Sequence, residues 1–232
     1  MREDFRRLAQ AGLTFDAPLS DKHMTVLVAE LPISPGHHVL DLGCGNGELL
    51  LRILAAHTAT TGTGVDTDRE ALNRGVLAAA KRGLHSRVEF VEADVATFVG
   101  LADLVLCVGA SQAFGDSAAA LGSLRECVTP GGRVLFARAF WAAPPSADAL
   151  ETIGELPTLD EVRAAGQAAG FRIERDEVST LAEWDALETG WRAGLETSGI
   201  PEAVAFATLR RREYEDGYRG AIGFSWLVLV PL

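Results

Sequence analysis

The sequence predicts an α/β protein built on a mostly parallel sheet, with helices layered on both of its faces. Three observations lead there. Short apolar runs end in an acid or a glycine, are followed by segments with apolar residues at helical spacing, and repeat in this way to residue 140. One run, Leu104–Val108, is apolar throughout, as in a strand covered on both faces. The chain has 232 residues, 48% of them apolar, enough for one large three-layer domain with a sizeable core.

The elements follow in order. The first strand begins only at Val39, so residues 1–38 read as a helical N-terminal extension whose apolar stripe is Phe5, Leu8, Leu13, Val26, Leu27 and Leu31. Val39–Asp41 is a strand, and Glu48–His57 a helix carrying Leu49, Leu50, Ile53 and Leu54. Thr63–Val65 is the second strand, ending at Asp66, and Arg69–Lys81 is an alanine-rich helix. Val88–Val91 alternates like a strand and ends near Asp94. After Leu104–Val108 comes a helix, Ala118–Val128, which stops at the turn signal Thr129-Pro130-Gly131-Gly132. Arg133–Phe140 is the fifth strand. Beyond it the rhythm loosens: a loop with Pro144-Pro145, a helix at Leu159–Ala169, a strand at Phe171–Val178, a mostly helical insertion from Thr180 to Arg219, and a closing strand at Gly223–Val230.

Charge and cysteine content exclude several classes. With 21 Lys+Arg against 32 Asp+Glu the net charge is −11, which argues against a nucleic-acid or anionic-membrane partner. Cys44, Cys107 and Cys127 form neither a disulfide framework nor a metal-binding spacing, so no metal is expected. The longest apolar stretches, Leu101–Ala110 and Phe224–Leu232, are about half of a bilayer span. The N-terminus lacks the apolar core of a signal peptide, so the expected location is cytoplasmic.

The informative segment is Val39-Leu40-Asp41-Leu42-Gly43-Cys44-Gly45-Asn46-Gly47-Glu48, a strand that runs into alternating glycines and then a helix. Glycine lets the backbone turn and lets a ligand lie against it. No Gly-Lys-Ser/Thr is present, so the loop does not hold a nucleoside triphosphate. Leu49 or Leu50 stands where a dinucleotide loop needs its third glycine, and Asp41 and Glu48 would repel a pyrophosphate. A cationic ligand would find the same acid favourable. Asp66, 25 residues after Asp41, stands where nucleoside-binding α/β folds hold the ribose hydroxyls. Asp94, at the end of the third strand, is placed to accept from an adenine amino group. Taken singly, Asp41 also reads as an N-cap and Asp66 and Asp94 as ordinary loop acids; together they mark three consecutive strand ends.

These residues resemble the class I S-adenosylmethionine-dependent methyltransferases over about residues 35–140. The resemblance implies a Rossmann-like, seven-stranded methyltransferase fold with one antiparallel strand near the edge. It also implies S-adenosyl-L-methionine as cofactor, held by Asp41, Gly43, Cys44, Gly45, Asn46 and Gly47 of the first motif and by Asp66 and Thr67 of the second. Asp94 and Val95 would meet the adenine edge, and Cys107 and Gly109 would lie beneath the methionine portion. The chain then divides, as one methyltransferase domain, into the extension 1–38, a cofactor-binding core 39–140 and an acceptor-pocket part 141–232. The Asp-Pro-Pro-Tyr or Asn-Pro-Pro-Tyr of base-amino methyltransferases is absent; the site reads Cys107-Val108-Gly109-Ala110-Ser111-Gln112.

Methyl transfer from a sulfonium is an in-line displacement that alignment and exclusion of water accelerate, so a general base is not obligatory. The catalytic residue is left unassigned, with His23 and Gln112 as candidates. Ser111, Gln112 and Trp141 are candidate contacts to a small-molecule acceptor methylated on oxygen or nitrogen. Cys107 lies within an apolar run without a basic neighbour, as a small buried residue does. Competing readings are a nucleic-acid methyltransferase, an NAD(P)-dependent oxidoreductase and a non-catalytic cofactor-binding protein.

Overall fold

The computed structural model describes residues 3–10 and 12–232 and places seven strands in one sheet. They are β1 (His38–Leu42), β2 (Thr61–Asp66), β3 (Val88–Glu92), β4 (Ala102–Val108), β5 (Val128–Trp141), β6 (Phe171–Val178) and β7 (Ile222–Pro231). The helices are α1 (Glu3–Gln10), α2 (Asp21–Glu30), α3 (Glu48–Ala56), α4 (Arg69–Lys81), α5 (Ser117–Cys127), α6 (Ala147–Ile153), α7 (Leu159–Ala168), α8 (Leu181–Glu196) and α9 (Pro201–Arg212). The order across the sheet is β3-β2-β1-β4-β5-β7-β6.

That order creates the site. The chain enters at β1, moves outward to β2 and β3, then returns to lay β4 on the other side of β1. The reversal leaves a crevice beyond the carboxyl ends of β1 and β4, where α/β sheets bind ligands. The pairs β1–β2, β1–β4, β2–β3 and β4–β5 are parallel. The sheet as a whole is mixed rather than strictly parallel, with an antiparallel strand next to the edge as the resemblance implied. Ser179 N–H bonds Phe224 O and Leu232 N–H bonds Gly170 O, so β7 runs against β6. An apolar run has the same pattern in either direction, and only the path of the preceding chain decides which end enters the sheet.

Other differences are local. β2 begins two residues before the expected Thr63. β5 runs through Thr129-Pro130-Gly131-Gly132, with an irregular register opposite Ala102 and Leu104 and with Gly131 at φ 83°. The helical insertion is interrupted at Gly199 (φ 72°), after which Pro201 starts α9 at a position where its missing N–H is harmless. A π-helical turn, Glu213–Tyr218, follows α9.

The chain divides into two compact units. One comprises Asp21–Arg138, Asp160–Glu177 and Ser225–Leu232 and contains the glycine loop. Its core is built on Val39, Leu40, Leu42, Leu50, Leu54, Leu106, Leu135 and Phe136, all buried. The other comprises Met1–Ser20, Ala139–Leu159 and Val178–Phe224. Here Phe5 and Ala9 of α1 cluster with Trp191, Leu195, Ala203 and Ala207 of α8 and α9. Gly194 permits the close approach, since a Cβ there would fall 2.1 Å from Leu8 O. Among the described residues no helix is long and apolar enough to cross a membrane.

Candidate functional site

Three apolar positions of β1, Val39, Leu40 and Leu42, anchor the strand, and Asp41 is carried inward with them until it is 4% exposed. Burial, reinforced by the nearby negative charge of Asp66, raises its carboxyl from 3.8 to about 7. The backbone then turns through Gly43, Gly45 and Gly47, all at positive φ (81°, 55° and 70°). Val65 O at the end of β2 accepts from the N–H groups of Gly43 (2.9 Å) and Cys44 (3.1 Å), which fixes the loop to the neighbouring strand. Asn46 Oδ1 accepts from Glu48 N–H at 3.1 Å where α3 begins.

The glycines serve different ends. A Cβ on Gly43 would sit 2.3 Å from Ala110 Cβ, and one on Gly47 would sit 2.4 Å from the Phe90 ring. The same ring closes on Gly64 and Gly75, so Phe90 of β3 is the floor on which loop, β2 and α4 rest. At Gly45 a Cβ would meet nothing within 4 Å, leaving that stretch of main chain open to a ligand. Asp66 stands beside it. Its Oδ2 accepts from Gly45 N–H at 2.8 Å and its Oδ1 from Asp68 N–H at 2.9 Å. One bond per oxygen orients the carboxylate and leaves each oxygen a further acceptor position. Thr67 is exposed next to it. At the end of β3, Asp94 is exposed and accepts from Ala96 N–H at 2.9 Å, whereas Val95 is buried.

The structure thus brings Asp41, Gly43, Cys44, Gly45, Asn46, Gly47 and Asp66 together. Glu48, expected at the same place, turns away: its oxygens bind Arg52 and Arg82, each at 2.7 Å. Cys44 is half-buried, and its thiol is pushed far up by burial and by the charges of Asp41 and Asp66. Cys107 is fully buried in β4, its thiol raised to about 12, so it stays protonated and unreactive at neutral pH. Beyond β4, Gly109 is followed by a tight turn, Ser111–Phe114, in which Ser111 is buried and Gln112 Nε2 donates back to Gly109 O at 2.9 Å. His23 of α2 lies 3.1 Å from Glu177 Oε2 and edge-on to Trp226. Trp141 belongs to the other unit, where its ring is buried and its indole N–H is pinned by no hydrogen bond among the described residues. Among the described residues no group of three or more His, Cys, Asp or Glu is arranged to hold a metal.

Phe90 escaped sequence reasoning. It sits in an alternating strand like any core aromatic, and only the three glycines that face it from elsewhere in the chain reveal its role.

Comparison with known proteins places this geometry. Residues 33–174, more than half of the chain, match the model of the family described as a methyltransferase domain. The uncharacterized protein YjhP of Escherichia coli (strain K12) is 30% identical over 74% of this chain and 72% of its own. The 27-O-demethylrifamycin SV methyltransferase of Amycolatopsis mediterranei is 26% identical over 65% of this chain and 60% of its own. A S-adenosylmethionine-dependent methyltransferase from Geobacter sulfurreducens, solved with S-adenosyl-L-homocysteine, superposes with a TM-score of 0.92 at 24% identity, covering 100% of this chain and 99% of that one. With the first-motif loop on β1, the sheet order and the family match in agreement, the chain belongs to the methyltransferase-domain family, in its class I, S-adenosylmethionine-dependent branch.

Proposed function

We propose that the protein transfers a methyl group from S-adenosylmethionine to an oxygen or nitrogen of a small-molecule acceptor. What supports a nucleoside here is the pairing of an open backbone at Gly45 with a pre-oriented carboxylate at Asp66. Asp66 takes the two ribose hydroxyls on its remaining acceptor positions. Thr67, Asp94 and the Val95 N–H border the adenine. The Gly43–Gly47 backbone, with Cys44 and Asn46, runs along the adenosine and methionine parts, and Cys107 and Gly109 lie below the latter. Asp41 attracts the cationic end. When bound, the cofactor supplies an electrophilic methyl on a sulfonium.

The chain's own contribution is alignment and exclusion of water. Ser111 and Gln112 face the acceptor, Gln112 as a hydrogen-bonding and orienting group, since an amide takes up no proton at neutral pH. His23 is the candidate proton acceptor, its imidazole oriented by Glu177. Oxygen is favoured as the methylated atom by the name of the rifamycin relative, and a small acceptor by the net charge of −11.

Isothermal calorimetry with S-adenosylhomocysteine tests the reading. Saturable binding by the wild type, weakened about a hundredfold by Asp66→Ala through loss of two charge-assisted bonds, is expected. Absence of binding by the wild type, or binding of NADH in its place, overturns it.

A further inference from the structure

Within the unit formed by Met1–Ser20, Ala139–Leu159 and Val178–Phe224, α9 packs on α8 with a light apolar grip. Its buried residues are two alanines, Ala203 and Ala207. Phe206 is half-buried, its ring 5.8 Å from Phe5 and 6.1 Å from Trp191, while Val204 and Leu209 are exposed. Arg211 pairs with Glu196 at 2.6 Å on the exposed surface, where an ion pair holds little.

The strong hold is at the end of the helix. Arg210 stacks over the Trp191 ring at 4.2 Å and donates to Glu188 of α8, from Nε to Oε2 at 3.1 Å and from Nη2 to Oε1 at 2.7 Å. Glu188 is 1% exposed, so lifting α9 would strip a buried carboxylate of its cation, a costly change unless another cation replaces it.

Arg192 is that cation. It is 6% exposed and lies one turn along α8 from Glu188, in the favourable order of acid before base. Its Nη1 stops 3.8 Å from Glu188 Oε2, the oxygen that Arg210 Nε occupies, too far for a hydrogen bond. Nε and Nη1 have no hydrogen-bond partner among the described residues. Nη2 reaches Thr189 Oγ1 only at 3.4 Å, and the guanidinium stands 6.0 Å from the Tyr214 ring. Once Arg210 leaves, rotation of the Arg192 side chain closes the gap with no movement of the backbone of α8. Tyr218 OH still donates to Glu188 Oε1 at 2.9 Å, and Asp185 keeps Arg219 and the Tyr214 hydroxyl. The π-helical turn Glu213–Tyr218 therefore stays on α8 when α9 departs. The bends fall at Gly199 (φ 72°) and at the junction of α9 with the π-helical turn.

We propose that α9 is a flap that lifts from α8, with Arg192 taking Glu188 over from Arg210 as it opens. The open form uncovers the Trp191 face of α8, which Arg210 and Phe206 cover in the closed one.

Native-state hydrogen exchange of the full chain, read by mass spectrometry, tests this. Amides of residues 201–212 are expected to exchange at least about tenfold faster than those of 184–195. Arg192→Met is expected to slow residues 201–212 about tenfold and leave 184–195 unchanged, because opening then leaves Glu188 Oε2 without a donor. Arg192→Lys, whose ammonium keeps the charge, is expected to restore part of the wild-type rate. Arg210→Met is expected to stay folded, with residues 201–212 quickened about tenfold and 184–195 unchanged. Exchange of α8 and α9 as one block overturns the proposal, as does an Arg192→Met variant whose residues 201–212 exchange as fast as the wild type or faster. It also falls if Arg192→Lys behaves as Arg192→Met does, or if Arg210→Met unfolds, since Arg192 would then not stand in for Arg210. Failure of Arg192→Met to fold would make Arg192 a fixed part of the core and overturns it as well.

Discussion

Asp41 carries opposing demands. Burial among Val39, Leu40 and Leu42 disfavours its charge, and Asp66 adds to that, while a cationic ligand would favour it. Its folded value, about 7, lies above the ordinary 3.8, so the folded protein holds this proton more tightly than the unfolded chain. Stability from this residue is therefore present at low pH and lost as pH rises through about 7. Asp41→Asn is expected to raise the melting temperature of the ligand-free protein at pH 8 and to change it little at pH 5. The same substitution should weaken S-adenosylhomocysteine about tenfold at pH 8 and flatten the wild-type gain in affinity between pH 6 and pH 8, measured by calorimetry. A drop in melting temperature at pH 8 would contradict the account. The acid itself was legible in the sequence, since it closes an apolar strand just before the glycines. Its raised carboxyl was not, because burial depends on β2 and β4 flanking β1.

Elements meet here through glycine. Gly43 abuts Ala110 beyond β4, which joins the first loop to the turn that follows the fourth strand. Gly43→Ala is expected to destabilise the protein by about 1–3 kcal/mol in urea denaturation. Ala110→Gly should recover part of that loss, the remainder being strain at φ 81°. An additive double variant would show that the contact is not the cause. On α8, Gly194→Ala should push against Leu8 and detach α1, read as faster amide exchange in residues 3–10 with little change in α3 or α4. The break between α8 and α9 went unread in a segment expected to be mostly helical from Thr180 to Arg219, although Gly199 and Pro201 stop and start helices in a known way. The small helix α6 and the strand path through Pro130 were not, because tertiary pairing there overrides a strong local turn signal.

For the whole molecule, ligand linkage is the simplest test. At a hundred times its dissociation constant, S-adenosylhomocysteine stabilises the folded state by about 2.7 kcal/mol. For a chain of 232 residues that corresponds to a rise of about 5–10 °C in melting temperature, reduced to about 1–2 °C in Asp66→Ala at the same ligand concentration. Differential scanning fluorimetry reads it directly.

The α/β rhythm, the glycine loop and the acids at three strand ends were determined by the sequence alone, because each is a local pattern: alternation, a turn that needs positive φ, a polar residue ending an apolar run. Tertiary structure decided the direction of β7, the placing of Phe90 under three glycines, and the closure of Glu188 by Arg210 and Tyr218 rather than by Arg192. Those depend on which distant segments meet, and charge partners twenty or thirty residues apart in a helical region leave no periodic trace in the chain.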